Sequence, residues 1–521
     1  MYSLLIKNCQ LVDGTGEPPR KADVAIQGDK IVNIDQSINI EAESVIDAGG
    51  KVLAPGFVDL QNHSDSYWQV FDNPRFDSLI TQGFTSIVIG NCGASLAPLL
   101  SHDALLSVQK WHNLEGTNIN WQSFSEYIEE LSRHRFACNV ASLVGYSTLR
   151  RGIVGDQVRS LEKEELAALK KFLSESIDAG AFGMSSGLSY SHEIIISEIE
   201  LYELAKILTQ KKALFSIHLR SEGSEVSEAV EESLDIARST EVNLKISHFK
   251  VRNENNWQKF EEVIQKIENA YHKGYNVHFD AYPYTAIWQP LYAYLPRWAI
   301  EGGRQVMLKH FENPTQKNKI LAYLNNLNVK FPSMLVASTA NKLNFMGKTI
   351  GQIAKNMEVS SEQAVLHIIQ NGGSEVLVFE ESLNPDQVKQ AIFHPLSFVA
   401  TDGGGFPETV KDKLVHPRCF GSAPKFLHMA LAENAMPLEK AIKKLTSGPA
   451  AKIGLKKRGE IKIGNFADLV IFDPAKISSQ ASYQNPYQFS QGIDYVFVNG
   501  KPALAEGKLT SQLPGYVLRK S

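Results

Sequence analysis

Two short runs, each ending in a histidine, decide the fold: Ala213-Leu214-Phe215-Ser216-Ile217-His218 and Val242-Asn243-Leu244-Lys245-Ile246-Ser247-His248. Each run is largely apolar and β-type, and the charged segment between them, Glu222 to Arg238, favours a helix. The pattern predicts a strand–helix–strand unit with both imidazoles at the same end of adjacent parallel strands. Either histidine alone would more often be a core residue, but the pair at a strand-end rim indicates a metal site.

The same alternation of strand-like and helix-type segments extends through the middle of the chain. Eight apolar, strand-like runs are separated mostly by helix-type segments such as Leu161–Ala179. The runs are Gly56–Leu60, Thr85–Gly90, Asn139–Gly145, Ala181–Ser185, Ala213–Ile217, Val242–Ser247, Tyr275–Ala281 and Ser397–Thr401. Eight strands alternating with helices predict a TIM-type (β/α)8 barrel over residues 55–449. The connection from Tyr282 to Leu396 is far longer than an ordinary crossover, so an insertion is expected at about residues 287–345.

The two ends of the chain share a different sequence pattern. Short alternating runs with Gly/Asp turns, such as Asp23–Ile26 and Lys30–Ile34 around Gly28-Asp29, indicate a small antiparallel sheet near the N-terminus. The same pattern of short strand-like runs and turns recurs near the C-terminus, at Ala467–Phe472 and Tyr495–Lys501. We therefore expect residues 1–54 and 450–521 to form one discontinuous small β domain, a sandwich or barrel.

Composition narrows the possible partners and compartment. The 521 residues carry a net charge of −4, which gives no electrostatic basis for binding nucleic acid or an anionic membrane. The N-terminus has no signal-peptide pattern, and no run approaches the roughly 18 apolar residues that a membrane span needs. Four widely spaced cysteines do not resemble a disulfide framework. A cytoplasmic protein is the expectation.

Chemistry-bearing residues cluster at the predicted strand ends, where barrels of this kind place their active sites. Cys92 follows strand two, His218 and His248 follow strands five and six, and Asp402 follows strand eight. One thiolate and two imidazoles form a three-ligand zinc set with a fourth position open for water, as in catalytic sites. Asp402 is placed to take a proton from that water and pass it to a leaving nitrogen. Alone, Cys92 would be a buried hydrophobe and Asp402 a cap or ion-pair partner.

Several motifs resemble those of a known family along nearly the whole chain. They are Ala54-Pro55-Gly56-Phe57-Val58-Asp59, Gly90-Asn91-Cys92-Gly93-Ala94-Ser95-Leu96-Ala97-Pro98, Ser185-Ser186-Gly187-Leu188, Ile246-Ser247-His248-Phe249-Lys250, Ala281-Tyr282-Pro283-Tyr284, His416-Pro417-Arg418 and Phe466-Ala467-Asp468-Leu469-Val470. The sequence resembles the N-acyl-D-amino-acid deacylases (D-aminoacylases) of the amidohydrolase superfamily. The Asn-Cys-Gly and His-Pro-Arg pieces are the more specific ones.

The resemblance implies a (β/α)8 barrel, a β domain built from both termini and an insertion that covers the active site. It assigns Cys92, His218 and His248 to one tightly bound Zn²⁺ and Asp402 to catalysis. It also assigns Lys250, Arg418 and Tyr190 to the substrate's α-carboxylate, with one of Tyr282 or Tyr284; Tyr284 is the choice predicted here. An arginine fork and a lysine point charge suit a carboxylate, whereas without the resemblance both residues would be interpreted as solvated rim charges.

One departure concerns a second, weaker metal site. The family carries His-x-His at the end of strand one, whereas this chain has Gln61 and then His63. An amide oxygen is a poor zinc ligand beside imidazole, so His63 is left as the remnant of a weak second site. The end of strand four also carries no lysine that could bridge two metals. A site with one zinc ion is therefore expected.

The predicted function is zinc-dependent hydrolysis of N-acyl-D-amino acids, small-molecule substrates, to a carboxylate and a free D-amino acid. One alternative is a cyclic-amide or carbamate hydrolase of the dihydropyrimidinase type, but such enzymes usually keep both His-x-His and a bridging lysine. Another alternative is a catalytically silent homologue that acts as a binding protein. Handedness of the substrate rests on the resemblance alone.

Overall fold

The structure, a computed structural model, describes residues 1–108, 119–190, 192–300, 303–339, 344–373, 376–410 and 413–521. Its strands, in chain order, are β1 (Leu4–Leu11), β2 (Arg20–Gln27), β3 (Lys30–Asp35), β4 (Val45–Asp47), β5 (Val52–Pro55), β6 (Phe57–Asp59), β7 (Phe84–Ile89), β8 (Asn139–Ser142), β9 (Val144–Gly145), β10 (Gly183–Gly187), β11 (Leu214–His218), β12 (Asn243–Ile246), β13 (Val277–Ala281), β14 (Ala286–Pro290), β15 (Leu335–Ser338), β16 (Leu377–Glu381), β17 (Ser397–Val399), β18 (Leu469–Phe472), β19 (Ile493–Val498), β20 (Lys501–Ala505) and β21 (Lys508–Leu509).

The α-helices, also in chain order, are α1 (Gln69–Asp72), α2 (Asp77–Ile80), α3 (Phe124–Arg133), α4 (Tyr146–Val154), α5 (Lys163–Asp178), α6 (Glu198–Gln210), α7 (Val226–Thr240), α8 (Phe260–His272), α9 (Arg297–Ile300), α10 (Gly303–Glu312), α11 (Pro314–Asn325), α12 (Ile350–Met357), α13 (Ser361–Gly372), α14 (Pro385–Phe393), α15 (Arg418–Ala432), α16 (Leu438–Leu445) and α17 (Ser447–Ile453). Short 3-10 helices lie at His102–Ser107, Glu254–Lys259, Leu291–Tyr294 and Phe331–Ser333. Among the helices within the described ranges, none has the length and apolar character that crossing a membrane requires.

A nine-stranded sheet joins the two ends of the chain. Its order is β21-β20-β19-β18-β5-β1-β2-β3, with β4 paired to β1. The N-terminal and C-terminal parts meet where β5 runs antiparallel to β18, with Pro55 opposite Leu469. The last residues of the C-terminal part also reach the middle of the chain, because the backbone N–H of Leu518 donates to the carbonyl of Val140 in β8.

The middle of the chain contains parallel strands at each of the eight predicted positions. They form two hydrogen-bonded groups, β6-β7-β8 and β17-β13-β12-β11-β10-β9, and all neighbouring pairs in both groups are parallel. The groups are joined through the short β8–β9 connection and through a parallel bridge between Asn62 and Gly403. The carboxyl ends of these strands therefore face one side of the molecule.

Amphipathic helices cover the parallel strands because their apolar residues recur at helical spacing. In α7, Val226, Val230, Leu234 and Ala237 are all buried, while charged residues occupy much of the opposite face. The order strand, helix, strand over residues 214–246 is the unit predicted from the two histidine-ending runs.

The insertion extends further than the predicted residues 287–345. Strand β14 pairs antiparallel with β16, and β15 pairs with the other edge of β16, so the insertion's small sheet runs to Glu381. Strand β16 joins this sheet only after two helices, α12 and α13, which lie beyond residue 345. The predicted boundary at residue 450 likewise falls inside α17, which ends at Ile453.

Candidate metal centre and active site

Three predicted ligands converge at the carboxyl ends of β7, β11 and β12. Cys92, His218 and His248 are buried, and one ligand atom from each lies within 4.8 Å of the others. The Sγ of Cys92 is 3.3 Å from Nε2 of His248, and the rings of His218 and His248 are 4.4 Å apart and nearly perpendicular. In a tetrahedral zinc site, a sulfur and a nitrogen ligand lie roughly 3.5 Å apart. The spacing therefore fits one ion.

The backbone at the site adopts a conformation that L-residues seldom take. Cys92, His248 and Asp402 have φ angles of 52°, 36° and 46°. Such left-handed non-glycine positions cost about 1–3 kcal/mol each and persist only where the surroundings fix them. Here the carboxylate of Asp280 accepts a hydrogen bond from the His248 N–H at 2.7 Å, and Asp59 accepts two from Thr401, the residue before Asp402.

Neighbouring side chains orient the two imidazoles. For His248, Nε2 faces Cys92, whereas Nδ1 lies 3.1 Å from a carboxylate oxygen of Glu222. A carboxylate on the second ring nitrogen is the usual support of a metal-ligating histidine. For His218, Nε2 is 2.8 Å from the Ser189 hydroxyl, and the buried Nδ1 has no hydrogen-bond partner among the described residues. A metal ion would satisfy an unpartnered ring nitrogen in a residue of this ligand group.

The charge state of Cys92 also suits a metal. Burial alone would raise the pKa of its thiol, but the charge of His248 and hydrogen bonds with His218, His248 and His63 hold that pKa well below its usual range. The thiolate is the form that binds metal. The donor set, one thiolate and two supported imidazoles, matches that of catalytic zinc.

Asp402 lies between the metal ligands and two basic side chains. Its Oδ1 is 3.1 Å from Nε2 of His63, and its Oδ2 is 2.9 Å from an Nη of Arg418. Burial favours the neutral acid, but Arg418, His248 and His63 together hold the pKa of Asp402 well below its usual range. Burial alone would lower the pKa of His63, but the contacts with Asp402 and Cys92 raise it to about 10. Asp402 is thus an ionised, buried base.

Two buried donors near Asp402 remain without partners in the part of the chain that the structure describes: Nε of Arg418 and the hydroxyl of Tyr282. The guanidinium of Arg418 stacks 4.6 Å from the centre of the Tyr282 ring, and both residues line the same cavity. Unsatisfied buried donors are costly, so this pair is prepared for an anionic acceptor.

The other residues predicted to contact the substrate's carboxylate differ in whether they line the cavity. Tyr190 lines the cavity, with its ring 5.0 Å from that of His218. Lys250 also lines it, but its ammonium donates to Glu222 at 2.6 Å and to the His248 carbonyl at 2.9 Å, so it braces His248. The structure does not bring Tyr284 to the cavity, because its hydroxyl lies against the Pro417 carbonyl and the Ser479 hydroxyl. The geometry therefore favours Tyr282 over Tyr284 as the tyrosine at the cavity.

A cavity of about 390 Å³ opens above these residues. One wall carries the ligands, Asp402 and Arg418. The insertion supplies the facing wall, which is rich in aromatic side chains and includes Trp288, Tyr292 and Tyr294. Residues of the insertion therefore line the same cavity as the strand-end cluster.

The second potential ligand group, His63, Cys92 and Asp402, shares Cys92 with the first. Beside it Gln61, which is fully buried, donates from Nε2 to the Cys92 Sγ at 3.0 Å. Sequence reasoning did not identify Glu222, Asp280 or Lys245 as parts of this site. The available signal was a charged residue, Lys245, between two apolar residues, Leu244 and Ile246, of a strand.

Comparison with known proteins places this geometry in context. The model of the amidohydrolase family matches residues 409–503. The chain is 31% identical over 521 residues to the D-aminoacylase of Alcaligenes xylosoxydans xylosoxydans, covering 100% of this chain and 98% of the relative.

Two solved structures are similar over the whole length of both chains. The N-acyl-D-glutamate deacylase of Bordetella bronchiseptica, complexed with zinc and a phosphonate mimic of the tetrahedral intermediate, is 27% identical with a TM-score of 0.85. A D-aminoacylase with a binuclear metal centre, described by one-metal activation and second-metal attenuation, is 28% identical with a TM-score of 0.84.

Replacing Cys92 by alanine should strip the protein of its metal. Loss of a direct ligand should weaken metal affinity by more than the 10–100-fold typical of outer partners, so zinc should be lost on dialysis. Elemental analysis of the dialysed protein measures this, with Cys9→Ala, a buried cysteine in β1, as the matched control. Retention of zinc by Cys92→Ala at the level of Cys9→Ala would contradict the assignment.

Proposed function

The chain belongs to the D-aminoacylase (N-acyl-D-amino-acid deacylase) family of the amidohydrolases, and from this premise we propose that it hydrolyses N-acyl-D-amino acids to a carboxylate and a free D-amino acid. The observation that carries the proposal is the buried cluster of Cys92, His218 and His248 facing Asp402 and Arg418. It lies in a chain 31% identical to a D-aminoacylase over its full length. The enzyme is a metal-dependent hydrolase of amides.

We also propose that the parallel strands form a closed barrel and that both ends of the chain form a separate small β domain. Parallel strands at eight positions, helices between them and the Asn62–Gly403 bridge support a closed (β/α)8 barrel. The nine-stranded sheet supports a small β domain built from both ends of the chain. Their boundaries stay predictions.

Cys92, His218 and His248 would hold the tightly bound zinc ion. Zinc, when bound at such a site, lowers the pKa of water to near 7 and polarises a carbonyl. We infer a single ion, because Gln61 turns an N–H towards Cys92. In the D-aminoacylase with a binuclear centre, one metal activates and the second attenuates. This chain would keep only the activating ion.

Asp402 would move the proton. As water oxygen bonds to the acyl carbon, the carboxylate takes one proton from it. As the C–N bond breaks, Asp402 returns that proton to the leaving nitrogen, giving an amine and a carboxylic acid, and the acid then loses its remaining water-derived proton to become a carboxylate. The depressed pKa of Asp402 keeps it ionised at neutral pH, and the His63 and Arg418 contacts fix both of its oxygens.

Arg418 and Tyr282 would hold the substrate's α-carboxylate through their free donors, Nε and the hydroxyl. Lys250, 5.9 Å from the Tyr282 ring, adds positive charge, and Tyr190 closes the side next to His218. Fixing the α-carboxylate next to Asp402 sets the acyl amide over the metal ligands. Charge-assisted hydrogen bonds of this kind favour substrates with a free carboxylate.

The alternatives receive less support. A cyclic-amide hydrolase would need the His-x-His pair and the bridging lysine, and residues 61 and 183–187 supply neither. A catalytically silent homologue would not need an ionised base, a set of oriented metal ligands and unpaired donors for a substrate carboxylate in one cavity.

The direct test is turnover of paired N-acetyl-D- and N-acetyl-L-amino acids by the zinc-loaded protein. We expect release of free amino acid from the D-substrates, and a fall of about 10³-fold in Asp402→Asn because the proton acceptor is lost. Asp178→Asn, at an exposed ion pair with Lys211, is the control. Hydrolysis of L-substrates only, or wild-type rates in Asp402→Asn, would refute the proposal.

Tyrosine-to-phenylalanine changes separate the two neighbouring tyrosines. Tyr282→Phe should raise KM by about 10-fold or more, because a hydrogen bond to a charged group is worth about 1.5–3 kcal/mol. Tyr284→Phe should leave KM near the wild-type value, since its hydroxyl points away from the cavity. Steady-state kinetics on one D-substrate measure both KM values. A larger rise of KM in Tyr284→Phe than in Tyr282→Phe would assign the carboxylate contact to Tyr284 instead.

A further inference from the structure

Lys245 is a fully buried cation inside the parallel sheet. It lies on β12, three residues before the ligand His248, and neither its side chain nor that of its partner Asp280 has any solvent exposure. Its ammonium donates to Asp280 Oδ2 at 2.5 Å and to Gln61 Oε1 at 2.6 Å, with the Leu60 carbonyl at 3.5 Å. These contacts use its three N–H bonds on the protein, and it does not line the cavity.

Lys245 fixes which way the Gln61 amide points. An ammonium can only donate, so the atom of Gln61 that faces it must be the oxygen. The amide nitrogen then faces the other way, 3.0 Å from Cys92 Sγ and 3.5 Å from His63 Nε2. The orientation of this buried amide is thus imposed by its charged neighbour.

That orientation closes the second ligand group to a cation. Gln61 presents N–H bonds, and no lone pair, towards His63 and Cys92. The Gln61 amide donates a hydrogen bond to the Cys92 sulfur, and Cys92 is the residue that both ligand groups share. The remaining members are paired with each other and with Arg418.

We propose that Lys245, acting through Gln61, is the positioning residue that limits this site to one metal ion. The inference rests on the proposed zinc site of the preceding section. Asp280 couples the two parts, because one carboxylate oxygen holds Lys245 and the other holds the backbone of His248. The same buried ion pair therefore positions a ligand of the first ion and excludes the second.

Zinc content of saturated, then dialysed protein tests the proposal. Gln61→His restores an imidazole but keeps Lys245, and we expect about one ion per chain, as in the wild type. Gln61→His/Lys245→Met/Asp280→Asn removes the charge pair as well, and we expect about two ions per chain. Two ions in Gln61→His alone, or one ion in the folded triple variant, would overturn the role of Lys245.

A second measurement keeps the test decisive if the triple variant fails to fold. In Co²⁺-loaded protein, the thiolate-to-cobalt charge-transfer band reports on the hydrogen bond to Cys92. Gln61→Leu, and Lys245→Met/Asp280→Asn, should shift that band to lower energy, since the sulfur loses a fixed donor. An unchanged band in Gln61→Leu would overturn the proposal.

These readouts do not depend on turnover. A protein with the expected zinc counts and cobalt shifts but no activity towards N-acyl-D-amino acids would contradict the proposed function and leave the role of Lys245 standing. An active enzyme with two ions in Gln61→His alone would do the reverse.

Discussion

The site depends on buried carboxylates that hold strained strand ends. Cys92, His248 and Asp402 each adopt a left-handed backbone conformation, and each is flanked by hydrogen bonds to a carboxylate in the interior. Asp65 accepts from the Gly90 N–H ahead of Cys92, Asp280 from His248 itself, and Asp59 from Thr401 ahead of Asp402. The strain of about 1–3 kcal/mol per residue is offset by these contacts, which turn the side chains towards one another. The function follows from that convergence.

The sequence allows the fold and the principal ligands to be predicted because both follow from the spacing at which apolar residues recur along the chain. Apolar runs alternating with amphipathic helices predict parallel strands, and parallel strands bring their carboxyl ends together, so His218 and His248 could be placed side by side from spacing alone. The substrate contacts required the resemblance as well. No local pattern reports where the insertion's sheet ends, because β16 joins that sheet only after two intervening helices.

Other features depend on tertiary contacts that spacing does not encode. Tyr282 and Tyr284 would share a face on a regular strand, but the Tyr284 N–H donates to the Tyr282 carbonyl in a tight turn, and Tyr282 is the one that lines the cavity. Glu222 reaches His248 across two loops. Lys245 appears in the sequence as a charge between two apolar strand residues, but its partners, Gln61 and Asp280, lie 184 and 35 residues away.

The central claim is that one zinc ion is held by one thiolate and two imidazoles at three strand ends. X-ray absorption at the zinc edge of the loaded protein tests it most directly. The account predicts one sulfur at about 2.3 Å, nitrogen or oxygen neighbours that include two imidazoles at about 2.0–2.1 Å, and no second metal. A spectrum without sulfur, or with a second metal at about 3.5–4 Å, would contradict it.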